Sequence, residues 1–245
     1  MRVLILGGTG ESRALARRLQ EEYEVVSSLA GRLADPVLPD GRVRIGGFGG
    51  AEGLTAWLRE QRIGAVLDAT HPFAQGITTN AVAAARAART PLLVVHRPPW
   101  LPGREDTWEA ADSMDDACAR AARFGQPVFL TIGRQEMRSF TALRSVVARV
   151  IDPPGWDLPG GWHLITQRGP FRASDERSLM EHFRIGVLVT KNSGGEQTYA
   201  KLAAARELGI PVVMVRRPAL PLGTAAVSST RAAVRWVKAV SRELC

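Results

Sequence analysis

Several short stretches of this chain carry the residue types and spacings that hold anions. Residues 188 to 202 read LVTKNSGGEQTYAKL and contain two of the three lysines present, Lys191 and Lys201, the third being Lys238. All other basic residues are arginines. Residues 130 to 136, LTIGRQE, likewise set Gly133 and Arg134 after an apolar run. A cation beside a glycine turn at a strand end lets backbone N–H groups and a full charge converge on one carboxylate or phosphate. Residues 191 to 195 are expected to open a helix beginning near Glu196, so that Ser193 and Thr198 also reach an anion at the helix N-terminus. Lys201 follows Thr198 by three residues and is expected to share its helix face. The alternative for Lys201 is a helix-face lysine in water. With RGPF at 168 to 171, these turns suit a ligand of several negative charges, such as a polycarboxylate.

Further stretches of interest lie in the first half. GGTGES at 7 to 12 sits between an apolar run and a helical pattern, where a turn without side chains brings amides close to a pyrophosphate. The spacing departs from G-x-G-x-x-G, since Arg13 stands where a third glycine belongs. A tight strand-to-helix turn with no ligand is the other reading. The next strand ends at Ser27 and Ser28, followed by Ala30, Gly31 and Arg32, where an NAD site usually carries an acidic residue. Hydroxyls and an arginine favour a 2′-phosphate, hence NADPH. DATHPFA at 68 to 74 ends a further strand, so Thr70 and His71 are expected to border the nicotinamide. His71 either moves a proton or orients substrate, or only hydrogen-bonds its own turn.

These residues need strand ends to project from, and the patterning supplies them. Short β-branched runs (VLILGG, EVVSSLA, RVRIGGF, AVLDAT, PLLVVHR) alternate with helical periodicity in ESRALARRLQEE, AEGLTAWLREQ and ITTNAVAAARAAR. That is the pattern of a parallel sheet covered on both faces. RPPWLPGRED breaks it near residue 100, and the alternation then resumes to a last helix over STRAAVRWVKAVSREL. The expected fold is α/β, with two Rossmann-like open parallel-sheet domains and a cleft between them: residues 1–100 for the dinucleotide and 101–245 for the second ligand.

Composition excludes several classes. The hydrophobic fraction of 45% and charged fraction of 23% suit a globular chain, and no apolar run has the length of a membrane span. MRVLILGG breaks at glycine too soon for a signal peptide, so a cytoplasmic location is expected. Cys118 and Cys245 lie far apart and the four histidines are scattered, which argues against metal or disulfide chemistry. The net charge of +8 is spread along the chain without basic blocks, so a small polyanion accounts for it and nucleic acid is not expected. Like charge on every copy favours a monomer, or at most a weak homodimer.

Taken in order, GGTGES, AGR, GGFGG, DATHPFA, RPPW, TIGRQE, RGPF, VTKNSGG and KLAAARELGIPVVMVRRP resemble the precorrin-6A reductase family of corrin-ring biosynthesis, from one end of the chain to the other. The resemblance implies NADPH-dependent reduction of a macrocycle double bond to give precorrin-6B, by hydride transfer with protonation at the neighbouring carbon. It places Gly8, Thr9, Gly10, Glu11 and Ser12 at the pyrophosphate, Ser28, Gly31 and Arg32 at the adenosine end, and Thr70 and His71 beside the nicotinamide. It places Gly133, Arg134, Lys191, Asn192, Ser193, Gly194, Gly195, Thr198 and Lys201 at the acetate and propionate carboxylates. No general acid is assigned. The family also includes a form acting on the cobalt-containing ring, often with NADH; the serines and Arg32 favour the cobalt-free, NADPH form. A non-catalytic NADPH-sensing protein is the alternative from another class.

Overall fold

The computed structural model describes residues 1–31 and 33–243. In chain order the elements are β1 (Arg2–Leu6), α1 (Gly10–Leu19), β2 (Glu24–Leu29), β3 (Arg42–Ile45), α2 (Gly50–Glu60), β4 (Ile63–Asp68), α3 (Gln75–Ala88) and β5 (Leu92–Val95). They continue with β6 (Trp108–Ala111), α4 (Met114–Ala121), β7 (Val128–Thr131), a 3₁₀ turn (Met137–Phe140), β8 (Val146–Val150), β9 (Trp162–Thr166), α5 (Ala173–His182) and β10 (Val187–Lys191). Last come α6 (Ala200–Glu207), β11 (Val212–Val215), β12 (Ala226–Val227) and α7 (Thr230–Glu243).

The chain forms two compact units, one of Met1–Pro98 with the segment from Pro218 onward, the other of Pro99–Arg217. The expectation that everything after residue 100 belongs to the second domain is corrected here. Ala225 and Val227 carbonyls accept the amides of Val94 and His96, which adds β12 to the edge of the first sheet beside β5. Behind it, Ala233 and Val237 of α7 enter one core cluster with Leu15, Ala16 and Leu19 of α1. Burying such side chains is worth about 1.5–3 kcal/mol each for the larger ones, so α7 is bound to the first unit by its apolar stripe.

Each unit is a six-stranded parallel sheet, ordered β12-β5-β4-β1-β2-β3 in the first and β6-β11-β10-β7-β8-β9 in the second. The central strands are buried throughout (Val3 to Leu6 in β1, Val187 to Val189 in β10), as a sheet covered on both faces requires. The order in which strands are added reverses between β1 and β4 in one unit and between β7 and β10 in the other. Open α/β sheets bind ligands at the carboxyl ends of the strands at such switch points. β6 and β12 escaped the sequence reading, because WEAA and a two-residue AV are edge strands formed by pairing and not by an apolar run of their own.

Candidate functional site

In the first unit the switch point joins the loop after β1 to the loop after β4. Thr9 caps α1: its Oγ1 accepts the Ser12 amide at 3.1 Å and donates to the Ala69 carbonyl at 2.7 Å. Ser12 Oγ in turn accepts the amides of Gly8 and Thr9, each at 3.1 Å. The capping box therefore takes up amides that a bare glycine turn would offer to a phosphate. Thr9 and Ser12 are buried and shape the turn, whereas Gly8 faces open space. At φ +112° Gly8 adopts a backbone conformation that a side chain would strain, and no atom lies where a Cβ would point. The amide of Gly10, at the first helical position, remains directed out of the helix end.

Glu11 sits on that same first turn and pairs with Arg97 beyond β5 at 2.9 Å. Burial works to raise the Glu11 pKa, but the Arg97 charge and hydrogen bonds outweigh it and hold the carboxyl below its ordinary value. Asp68, at the end of β4, is a residue the sequence reading passed over. Its Oδ1 accepts both the amide and hydroxyl of Thr70, at 3.0 and 2.6 Å, and its Oδ2 accepts the Thr78 hydroxyl at 2.6 Å. A carboxylate closing an otherwise apolar strand, VLD, was the available signal. His71 Nδ1 accepts the Phe73 amide at 3.2 Å, a bond within its own turn. Asp68, Thr70, His71, Thr78 and His96 line one narrow crevice in this unit. On the far side of β1, Ser28 stands next to the end of β2 opposite Leu6, and no acidic residue stands there. Gly31 lies beyond it on the surface; Arg32 falls outside the described residues.

The second unit repeats the arrangement with charged groups. Thr131 and Thr190 pair at the ends of β7 and β10, so the loops carrying Gly133–Arg134 and Lys191–Gly195 leave the sheet side by side. Lys191 Nζ meets Glu136 Oε1 at 2.9 Å and ties the two loops together. Arg134 is partly exposed, with Nη1 3.8 Å from Asp152 and donating to the Pro153 carbonyl at 3.3 Å. Asn192 exchanges two hydrogen bonds with the Trp100 backbone, at 2.8 and 3.0 Å, and Trp100 Nε1 donates to the Gly195 carbonyl at 2.8 Å. Trp100, in the RPPW block, is thus the clamp on the Ser193–Gly195 turn, a role that no local pattern announces.

Two expectations about this turn are corrected. The helix α6 begins at Ala200, not near Glu196, and its cap Tyr199 makes no side-chain bond to the helix end, so residues 191–195 do not form the helix N-terminus. Thr198 lies in the turn before it. Lys201 is neither on a shared helix face with Thr198 nor in water: it is 4% exposed, and its Nζ donates to the Thr198 carbonyl at 2.7 Å, 5.0 Å from the Trp100 ring centroid. Burial and then the Arg149 charge pull its pKa down to about 7, with Glu176 opposing. Arg149 and Glu176 form a buried ion pair whose second hydrogen bond measures 3.0 Å, and Phe171 of the RGPF block stacks on Arg149 at 3.7 Å. Among the described residues no cluster of metal-ligating side chains exists, and no helix is long and apolar enough to cross a membrane.

Comparison with known proteins gives one consistent result. The family described as precorrin-6x reductase CbiJ/CobK matches residues 2–238. A precorrin-6A reductase of Rhodococcus erythropolis is 51% identical over 245 residues, covering 98% of this chain and 99% of that one. A cobalt-precorrin-6A reductase of Salmonella typhimurium is 33% identical over 233 residues, 88% of this chain and 87% of that one. Among solved structures, a CobK precorrin-6A reductase superposes with a TM-score of 0.90 at 36% identity, covering 98% of this chain and 97% of that one.

Proposed function

The chain belongs to the precorrin-6x reductase CbiJ/CobK family, and on that premise we propose that it reduces precorrin-6A with NADPH in cobalamin biosynthesis. The observation that carries the proposal is the pairing of motifs at the two switch points. GGTGES and DATHPFA share one, TIGRQE and VTKNSGG the other, and each pair has the chemistry of a different ligand.

In this reading the first unit holds the dinucleotide. The open cradle at Gly8 and the Gly10 amide fit a pyrophosphate, and Glu11 is kept from repelling it by Arg97. Ser28, Gly31 and Arg32 take the adenosine end, where the absence of a carboxylate suits a 2′-phosphate. Thr70, its hydroxyl proton committed to Asp68, and His71 border the nicotinamide. NADPH supplies a hydride when bound. The protein's own contribution is to orient donor and acceptor and to neutralise the substrate.

The second unit holds the macrocycle's carboxylates. Arg134 and Lys191 supply charge, Gly133 and the Asn192–Gly195 turn supply close backbone approach, and Thr198 lies at the turn's far end. Lys201 acts beneath this surface, pinning Thr198 from inside. The higher identity to a precorrin-6A reductase than to a cobalt-precorrin-6A reductase supports the metal-free ring as substrate.

The test is NADPH oxidation with precorrin-6A under anaerobic conditions, with NADH and the cobalt-containing ring as parallel arms. Turnover confined to NADPH and the metal-free ring is expected. Turnover only with the cobalt ring moves the protein to the other branch of the family, and cofactor binding without any turnover makes it a sensor.

A further inference from the structure

Arg44 occupies a place that no motif explains. It lies on β3 in register with Ser28 of β2, at the carboxyl end of the strand pair where dinucleotide folds recognise the adenosine ribose. Its Nη1 donates to the Gly46 carbonyl at 2.6 Å and lies 3.5 Å from Ser28 Oγ; its Nη2 donates to the Gly47 carbonyl at 2.6 Å. The guanidinium stacks on Phe48, 3.8 Å from the ring centroid, and Trp57 stands behind at 5.9 Å. These contacts fix the plane of the group while leaving Nε–H and the second Nη2 hydrogen for another acceptor.

Those contacts do not neutralise it. Some basic side chains of this unit meet carboxylates, as Arg2 meets Glu24 and Arg17 meets Asp40. Arg44 has no carboxylate partner among the described residues, although burial disfavours its charge and lowers its pKa. A half-buried cation held rigid by two carbonyls and an aromatic face, with no counter-ion, is a preorganised anion site. The loop that follows β2 runs directly over this end of β3: a Cβ on Gly31 would come within 3.1 Å of Ile45. Arg44 and Ser28 therefore frame the position that the ribose 2′-substituent of a bound dinucleotide takes.

We propose that Arg44, with Ser28, binds the adenosine 2′-phosphate and sets the preference for NADPH over NADH. The inference rests on the cofactor reading above, and it assigns a specificity residue to β3.

The test separates the two claims by using half-cofactor probes, 2′,5′-ADP and 5′-AMP, in calorimetric titrations of the full chain. The unmodified protein is expected to bind 2′,5′-ADP at least about tenfold more tightly, as one charge-assisted contact supplies. Arg44→Gln is expected to lose about tenfold to a hundredfold toward 2′,5′-ADP while 5′-AMP changes by less than about twofold. Arg44→Lys, which keeps charge but not the planar fork, is expected to recover part of that loss. If Arg44→Gln retains the preference, Arg44 is not the ligand and the NADPH reading stands. If it weakens both probes equally, Arg44 merely shapes the 46–49 turn and the proposal is overturned. No preference in the unmodified protein would overturn the NADPH reading itself, and the role of Arg44 with it.

Discussion

The two switch points are built on one topology and joined in different ways. In the first unit a neutral hydroxyl links the loops, Thr9 Oγ1 donating to the Ala69 carbonyl, and the nearby carboxylates Glu11 and Asp68 are each satisfied locally. In the second an ion pair links them, Lys191 to Glu136, above a further buried group of Arg149, Glu176 and Lys201. The difference is the one that the ligands proposed for each would require. A pyrophosphate is met by backbone amides and needs a precise turn, whereas several dispersed carboxylates need cations held at fixed separations. The same fold supports both because the strands set position and the loops set charge.

If charge organises the second unit, its buried pair should be the most damaging to break. Glu176→Ala is expected to cost about 3–5 kcal/mol in urea unfolding, since it strands Arg149 beside Lys201. Next, Lys201 has a folded pKa near 7, below its unfolded value, so the unfolded chain binds the extra proton above pH 7. Its penalty is complete below pH 7 and is relieved as pH rises toward the unfolded value. Relative to Lys201→Met, the parent should therefore gain about 1.4 kcal/mol of stability per pH unit across that window. Equal slopes for the two proteins would show that Lys201 titrates normally. Arg134→Ala should raise the precorrin KM by about tenfold or more with cofactor affinity unchanged, the signature of a lost carboxylate contact. The smallest effect is expected in the first unit: Thr9→Ala removes a neutral cap and should cost about 1 kcal/mol, read as a lower Tm and weaker cofactor binding. A raised precorrin KM at unaltered cofactor affinity in that variant would contradict the division of labour.

Much of this was legible in the sequence because parallel strands buried on both faces read as apolar runs, and because the loops that follow them carry compact blocks such as GGTGES and VTKNSGG. What escaped has a common cause. β6, β12 and the return of α7 to the first unit depend on pairing and packing between distant segments, which no local period encodes. The inward turn of Lys201 is of the same kind: its helix position is readable, but its burial depends on where Trp100 and the turn before α6 come to lie. Asp68 and Arg44 were visible as residues, yet their roles emerge only when Thr78 and Ser28 arrive beside them.

The central claim is that a hydride passes from a cofactor on this chain to a tetrapyrrole held by the same chain. It is tested most directly with NADPH deuterated at both C4 positions of the nicotinamide, in a single anaerobic turnover with precorrin-6A. Mass spectrometry should show the reduced macrocycle heavier by about one mass unit than with unlabelled cofactor, as direct hydride transfer requires. Oxidation of the cofactor with no deuterium in the macrocycle would contradict the account.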